Sequence, residues 1–224
     1  MDDPRDRVLD AALAHVPFDG WSDDTLRRAA RDVDMPLAEV RALFPRGAVD
    51  LAMAFHRRGD ARLAARLAEL DMGEMRYRDR VARAIWLRLE AVDKEAVRRA
   101  ATLFALPMHA ADGARALWET ADAIWTALGD TSTDGNWYSK RATLSGVYAS
   151  VVLYWLGDDS MDHHETRDFI DRRIDDVMRI ESAKSAVNAN PLGRMMMAGP
   201  NFVLSRLRRP ARTTGLPGSI GGRP

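Results

Sequence analysis

The sequence predicts an all-α protein, and three observations support this prediction. Apolar residues recur at intervals of three and four along most of the chain, which is the repeat of an amphipathic helix. No run alternates apolar and polar residues between turn residues, as a half-buried strand does. With 46% hydrophobic residues in 224, the chain can bury a substantial core. We therefore expect a helical bundle of about nine or ten helices.

The first three predicted helices are short and follow one another closely. They cover residues 4–15, 22–33 and 36–44. We expect the first to stop at Pro17, because proline lacks the amide hydrogen that a helix interior needs. Ser22 can cap the second helix, and Pro36 suits the start of the third. Three short helices in this order are typical of a helix-turn-helix module, which we assign to residues 1–50.

Longer helical repeats follow and form the predicted core, residues 51–188. They cover residues 48–66, 74–90, 93–106, 110–128, 137–156 and 162–187. The segment 137–156 is apolar nearly all round, so we expect it to lie at the centre of the bundle. Residues 189–209 form a last amphipathic segment, and the Gly, Pro and Thr content of residues 210–224 predicts a disordered tail.

Charge and cysteine content limit the possible functions. The 33 Lys and Arg residues equal the 33 Asp and Glu residues, so no overall field attracts nucleic acid or an anionic membrane. The absence of cysteine excludes disulfides and thiolate metal sites and fits a reducing compartment. The N-terminus carries Asp2, Asp3 and Asp6 without an apolar run, so we expect no export signal. The longest uncharged stretch, residues 142–156, is shorter than the ~20 residues that span a bilayer.

The sequence contains no recognisable catalytic or metal-binding motif. No His has a Glu three residues before it, which is the spacing that a di-iron site uses on a helix. The densest acidic and histidine cluster runs from Asp159 to Glu165, where we read it as the solvated start of a helix. Phosphate-cradling glycine loops and GxSxG elbows are missing. We therefore expect a protein that is not an enzyme and has neither cofactor nor metal.

The segment Thr25–Leu51 resembles the helix-turn-helix of TetR-type repressors in the spacing of its apolar residues. Those residues are Ala30, Met35, Val40, Phe44 and Leu51. Asp34 stands where that family usually has a turn glycine, and Arg41 stands where it commonly has a phosphate-contacting tyrosine. Acidic residues balance the arginines of the module, so we expect no nucleic-acid partner.

Three further blocks resemble the ubiquinone (coenzyme Q) biosynthesis accessory proteins. They are FPRGAVDLAMAFHRRGD (44–60), TSTDGNWYSKRATLSGVYASVVLYWLGDDS (131–160) and FIDRRIDDVMRIE (169–181), within a likeness that covers residues 5–209. The resemblance implies a TetR-like fold, a homodimer, an isoprenoid lipid or quinone intermediate as ligand, and the di-iron demethoxyubiquinone hydroxylase as partner. It also implies a cytoplasmic protein peripheral on the bacterial inner membrane, or on the matrix side of the mitochondrial inner membrane in a eukaryote. The alternative is a TetR-like transcriptional regulator that senses a hydrophobic ligand.

This resemblance gives functional interpretations to three groups of residues. Lining of a lipid chamber is expected from Trp118, Trp125, Tyr148, Val151, Tyr154 and Trp155. Hydroxylase docking is expected from Asp134, Trp137, Tyr138, Lys140 and Arg141. Membrane binding is expected from Met195, Met196, Phe202, Val203, Arg206, Leu207, Arg208 and Arg209, because this segment joins apolar residues to arginines without an acid. Ordinary core packing is the alternative for the aromatic residues.

Overall fold

The computed structural model describes the backbone of residues 3–133 and 135–189, and side chains for residues 3–133 and 136–179. Over this part of the chain the structure has nine α-helices and no strand. The helices are α1 (Pro4–Asp19), α2 (Asp23–Asp32), α3 (Leu37–Leu43), α4 (Ala48–Glu69), α5 (Tyr77–Glu90), α6 (Lys94–Phe104), α7 (Ala110–Ala127), α8 (Gly135–Gly157) and α9 (His164–Ala189). The all-α prediction is confirmed. The predicted segment beyond residue 189 and the tail 210–224 lie outside the described residues.

The first helix is longer than the sequence predicted. It continues through Pro17 to Asp19, so the predicted stop at Pro17 is wrong. Pro17 lies in the last turn, where its missing amide hydrogen costs one helix hydrogen bond but does not end the helix. The amide of Gly20 donates to the carbonyl of Val16 at 2.9 Å and closes the helix.

Local signals fix both ends of α2. The hydroxyl of Ser22 accepts a hydrogen bond from the amide of Thr25 at 3.1 Å, which confirms the predicted cap. At the other end of α2 the amide of Met35 donates to the carbonyl of Ala30 at 2.9 Å, and Asp34 adopts a left-handed conformation with φ of 51°. This hydrogen bond and this φ are those of a Schellman turn, in which glycine is the usual residue.

Buried side chains form two clusters, and α4 contributes to both. The first cluster joins α1, α2, α3, the start of α4 and α6, and the second joins the end of α4 to α5, α7, α8 and α9. Trp21 links α1–α2 to α6, because its indole nitrogen donates to the carbonyl of Ala96 at 3.0 Å. Helix α4 therefore holds the N-terminal module against the larger bundle.

Among the described residues helix α8 buries one face, although its nearly all-round apolar sequence predicted a central position. The buried residues Trp137, Arg141, Leu144, Tyr148, Val151 and Trp155 lie on one face, and Leu156 is also buried near the end of the helix. The opposite face carries the exposed residues Ala142, Thr143 and Gly146, and Leu153 is 68% exposed. The sequence did not reveal this exposed face, because its residues are small and uncharged and therefore look like buried ones.

Candidate functional site

A cavity of about 410 Å³ lies among α4, α5, α6, α7 and α8. Its lining residues are Phe55, His56, Arg88, Val97, Ala100, Ala101, Phe104, Ala105, Ala110, Gly113, Ala114, Ala116, Leu117, Tyr148, Ala149, Val152 and Leu153. Ligand pockets in proteins commonly measure ~300–1,000 Å³ and are mostly apolar. This alanine-walled cavity has that size and lining.

Small residues on two facing helices produce the cavity. Alanines on α6 and α7 occupy wall positions where larger side chains would fill the space. At one point the helices approach closely, because a Cβ atom on Gly113 would come within 2.8 Å of the Cβ of Phe104. The two helices therefore make contact there, while the alanines elsewhere leave a gap.

A buried polar corner interrupts the apolar lining; it consists of His56, Asp60, Arg88 and Thr120. The Nε atom of Arg88 donates to Asp60 at 2.6 Å, and one Nη atom donates to the carbonyl of His56 at 2.9 Å. The hydroxyl of Thr120 donates to the same Asp60 oxygen at 2.7 Å. Arg88 is 1% exposed. A buried cation persists in this position because a carboxylate and a carbonyl compensate its lost hydration.

The polar corner contains a neutral imidazole at physiological pH. Burial, followed by the positive charge of Arg88, lowers the pKa of His56 to about 4. Its Nε2 atom lies 2.9 Å from the carbonyl of Ala116 and 2.8 Å from the hydroxyl of Thr120, so the neutral ring donates from this nitrogen. Burial also raises the pKa of Tyr148, whose hydroxyl therefore stays protonated. The site thus presents one cation, one anion and neutral donors.

The structure separates the six residues expected to line a lipid chamber. Tyr148 lines the alanine-walled cavity, and Trp125 lines a second cavity of about 230 Å³ among α5, α7, α8 and α9. Val151 and Trp155 are buried in the second core cluster. Tyr154 stacks on Phe169 with ring centroids 4.3 Å apart. Trp118 lies at the surface cluster described below.

Sequence reasoning missed the polar corner and the alanine wall. Arg88 lies in the predicted helix 74–90, but nothing in the sequence periodicity distinguishes it from a solvated arginine. His56 and Asp60 are four residues apart on α4, a spacing that places them on one face. That spacing and the alanines of α6 and α7 were the available signals.

Three aromatic residues form a cluster where α7 meets the start of α8: Trp118, Trp137 and Tyr138. The ring centroid of Trp118 lies 5.8 Å from the ring centroid of Trp137 and 6.3 Å from the ring centroid of Tyr138. Trp137 and Tyr138 meet edge to face at 4.8 Å. Trp137 is 7% exposed, whereas Trp118 and Tyr138 are half-buried. The accessible part of this aromatic cluster therefore belongs to Trp118 and Tyr138.

Ion pairs fix the backbone beneath the aromatic cluster. Arg141 is 1% exposed, lies 4.1 Å from the Trp137 ring centroid, and donates to Asp122 at 2.6 Å and to Asp130 at 3.1 Å. Lys140 also donates to Asp130, at 2.8 Å. Burial alone would raise the pKa of Asp130, but hydrogen bonds from Lys140, Ser132 and Arg141 hold it well below its usual range. Arg141 and Lys140 thus anchor the loop before α8.

Other predicted positions fall beyond the part of the chain that the structure describes. Asp134 is outside it, and so are all eight membrane-binding residues, Met195 to Arg209. Within the described residues no helix has the length and apolar character needed to cross a membrane. The same residues contain no group of three or more His, Cys, Asp or Glu side chains that could hold a metal ion.

Residues 110–181, which include α7, α8 and most of the described part of α9, match the COQ9 family model. The chain is 32% identical over 183 residues to the ubiquinone biosynthesis protein COQ9, mitochondrial, of Rattus norvegicus, covering 78% of this chain and 58% of the relative. It is 30% identical over 213 residues to COQ9-A of Xenopus laevis, covering 90% of this chain and 66% of the relative. The chain belongs to the COQ9 family. It spans about three fifths of the length of the curated relatives it matches.

A solved structure confirms the TetR-like fold predicted for this COQ9-family chain. The crystal structure of the TetR transcriptional regulator from Nitrosomonas europaea ATCC 19718 has a TM-score of 0.62 and 22% sequence identity. The match covers 77% of this chain and 96% of the regulator. At this identity the likeness concerns the fold alone.

Proposed function

We propose that this chain is a non-catalytic, lipid-binding accessory protein of ubiquinone biosynthesis. It binds isoprenoid quinone intermediates and presents them to the di-iron demethoxyubiquinone hydroxylase. The alanine-walled cavity carries this proposal, because its apolar walls suit a prenyl chain and its size lies within the range of ligand pockets. The COQ9 relatives, whose names state a role in ubiquinone biosynthesis, support the pathway.

Filling the cavity tests the lipid-binding step. Ala149 lines the cavity on α8, so Ala149→Phe places a benzyl group in the ligand's space. We expect the purified wild-type chain to retain isoprenoid in native mass spectrometry, and Ala149→Phe to retain little. Ala68→Phe is the matched control, because Ala68 is exposed on α4 and does not line this cavity. A wild-type chain that neither retains nor binds an isoprenoid contradicts the proposal.

The aromatic cluster is the proposed hydroxylase-docking surface. Aromatic side chains near the centre of an interface often contribute most of the binding free energy. Tyr138 and Trp118 offer accessible area, while Trp137, Lys140 and Arg141 hold that surface in place. The sequence also predicts Asp134 as a docking residue, but Asp134 lies outside the described residues.

Tyr138→Ala tests the docking surface at one of its accessible residues. We expect it to weaken association with the hydroxylase at least about tenfold, measured by surface plasmon resonance with purified partners. Phe18→Ala is the control, because Phe18 is an 84% exposed aromatic residue on α1. Trp137→Lys is a poorer test, since it places an ammonium group beside the buried Arg141. Equal binding by Tyr138→Ala and the wild-type chain refutes this location.

Membrane association is proposed for the C-terminal segment 191–209. Each basic residue near an anionic bilayer contributes about 1 kcal/mol of attraction. Deletion after Pro191 should therefore weaken binding to anionic vesicles, and added salt should reduce the difference. Binding that survives the deletion argues that the segment packs on protein instead. Homodimer formation and peripheral location on the inner membrane stay predictions.

The alternative of a TetR-like regulator has weaker support. Three arginines of the N-terminal module are paired with carboxylates: Arg27 with Asp24, Arg28 with Asp19, and Arg46 with Asp50 and Asp112. An arginine that is paired with a carboxylate attracts a phosphate backbone less strongly than an unpaired arginine. Saturable, sequence-dependent binding in a gel shift at moderate salt would favour the regulator.

A further inference from the structure

The alanine-walled cavity has two chemically different ends, and this difference bears on how a ligand lies in it. Arg88 and Tyr148 are 1% and 3% exposed, whereas Leu153, which also lines the cavity, is 68% exposed. The cavity therefore runs from a buried polar end to an apolar opening beside Leu153.

Unused hydrogen-bond donors remain at the buried end. Arg88 donates through Nε and one Nη atom, and its second Nη atom has no acceptor among the described residues. The hydroxyl of Tyr148 likewise has no hydrogen-bond partner in that part of the chain. Among the described residues neither atom belongs to the fully buried polar side-chain atoms that lack a partner, so both donors reach accessible space, and both residues line the cavity. They are therefore suited to an acceptor on a ligand.

The charges at this end disfavour an anionic head group. Arg88 is already compensated by Asp60 at 2.6 Å, and His56 is neutral, so the polar corner carries no net charge. A phosphate placed beside Arg88 would also lie near the buried Asp60 carboxylate, and two buried anions repel each other. A carbonyl or ether oxygen accepts the same hydrogen bonds without that repulsion.

We infer that the cavity takes its ligand head first. A neutral oxygen-bearing ring, such as a quinone, accepts hydrogen bonds from Arg88 and Tyr148, and the isoprenoid tail leaves through the opening beside Leu153. This inference rests on the proposed lipid-binding function and specifies the orientation and the class of head group. A site that prefers a neutral head group binds a quinone more tightly than a prenyl diphosphate that has the same tail.

Removing one hydroxyl tests the head contact. The probes share a two-isoprene tail that bears a benzoquinone, a diphosphate or no head group, and their binding to the full chain is measured by native mass spectrometry. Tyr148→Phe should weaken quinone binding by roughly three- to tenfold and leave the headless hydrocarbon unaffected. Tyr154→Phe is the matched control, because it also removes a tyrosine hydroxyl from α8. The Tyr154 hydroxyl bonds Glu165, and Tyr154 does not line the cavity. The wild-type chain should bind the quinone more tightly than the diphosphate.

The outcomes separate this inference from the function on which it rests. If quinone and hydrocarbon bind but Tyr148→Phe changes neither, or if the diphosphate binds most tightly, the head-first arrangement is wrong and lipid binding stands. If no probe binds, the lipid-binding proposal itself fails and the inference fails with it.

A labelled cysteine tests the orientation independently. The chain has no cysteine, so Leu153→Cys can carry a single fluorophore at the opening. A quinone with a nitroxide at the far end of its tail should quench this fluorophore more than a quinone with the nitroxide on its ring. The reverse order overturns the inference.

Discussion

Gly59→Ala is predicted to destabilise the protein, although the same change usually stabilises a helix. Gly59 lies within α4, beside the polar corner. A Cβ atom at this position would come within 2.6 Å of an Nη atom of Arg88, far inside van der Waals contact. The guanidinium cannot move aside freely, because Asp60 and the carbonyl of His56 hold it.

The magnitude follows from two opposing contributions. Replacing glycine by alanine within a helix gains about 1 kcal/mol. Disrupting a buried ion pair costs about 3–5 kcal/mol, because the remaining charge is left without its partner. Gly59→Ala should therefore lower the free energy of unfolding by about 2–4 kcal/mol, which corresponds to a fall in Tm of roughly 5–15 °C for a chain of this length.

Gly146→Ala provides the internal comparison for this prediction. Gly146 lies within α8, and a Cβ atom there would meet nothing within 4 Å. This variant should gain the full helical contribution of about 1 kcal/mol. Thermal and urea unfolding, followed by far-UV circular dichroism, measure both variants. If Gly59→Ala is as stable as Gly146→Ala, the guanidinium is not held as the structure indicates and the reasoning is refuted.

Three further predictions concern pH and stability. The unfolded chain protonates His56 near pH 6.5 and the folded chain only near pH 4, so the free energy of unfolding should fall by up to about 3 kcal/mol as the pH drops through this window. His56→Gln should remove that part of the pH dependence in urea titrations, while the exposed-site control His164→Gln should keep it. Asp130→Asn weakens its contact with the buried Arg141, and the urea midpoint should fall by an amount equivalent to about 1.5–3 kcal/mol; an unchanged midpoint contradicts the proposed anchoring role. Asp34→Gly relieves a φ of 51° and should raise the stability by roughly 0.5–1 kcal/mol in the same assay, whereas a loss would show that the aspartate side chain stabilises the turn.

Helix positions were largely predictable because their signals are local. Ser22 caps α2 and Asp93 caps α6, since each side chain bonds an amide three residues later on its own segment. Pro17 misled the prediction of α1, because a proline removes one helix hydrogen bond and can kink a helix without ending it. The start of α9 at His164, after left-handed residues at Asp162 and His163, also has no clear periodic signal.

The candidate site depended on packing that sequence periodicity does not report. Tyr148 and Trp155 follow the same apolar repeat of α8 and are both buried in the second core cluster, yet Tyr148 also lines the alanine-walled cavity and Trp155 does not. Which of them meets empty space is decided by the residues on α6 and α7 opposite them. Trp137 was expected at a surface contact, but it is 7% exposed because Arg141, Trp118 and Tyr138 pack around its ring.

The sequence by itself determined an all-helical chain, the helix-turn-helix-like order at its N-terminus, and the likeness to the COQ9 family, because these depend on local spacing and on recognisable residue blocks. Only the tertiary structure decided that alanines on facing helices leave a cavity and that Arg88 and Asp60 meet inside it. The physical reason is that an empty volume and a buried ion pair belong to several helices at once. Their existence depends on distances between helices, which no single helix encodes.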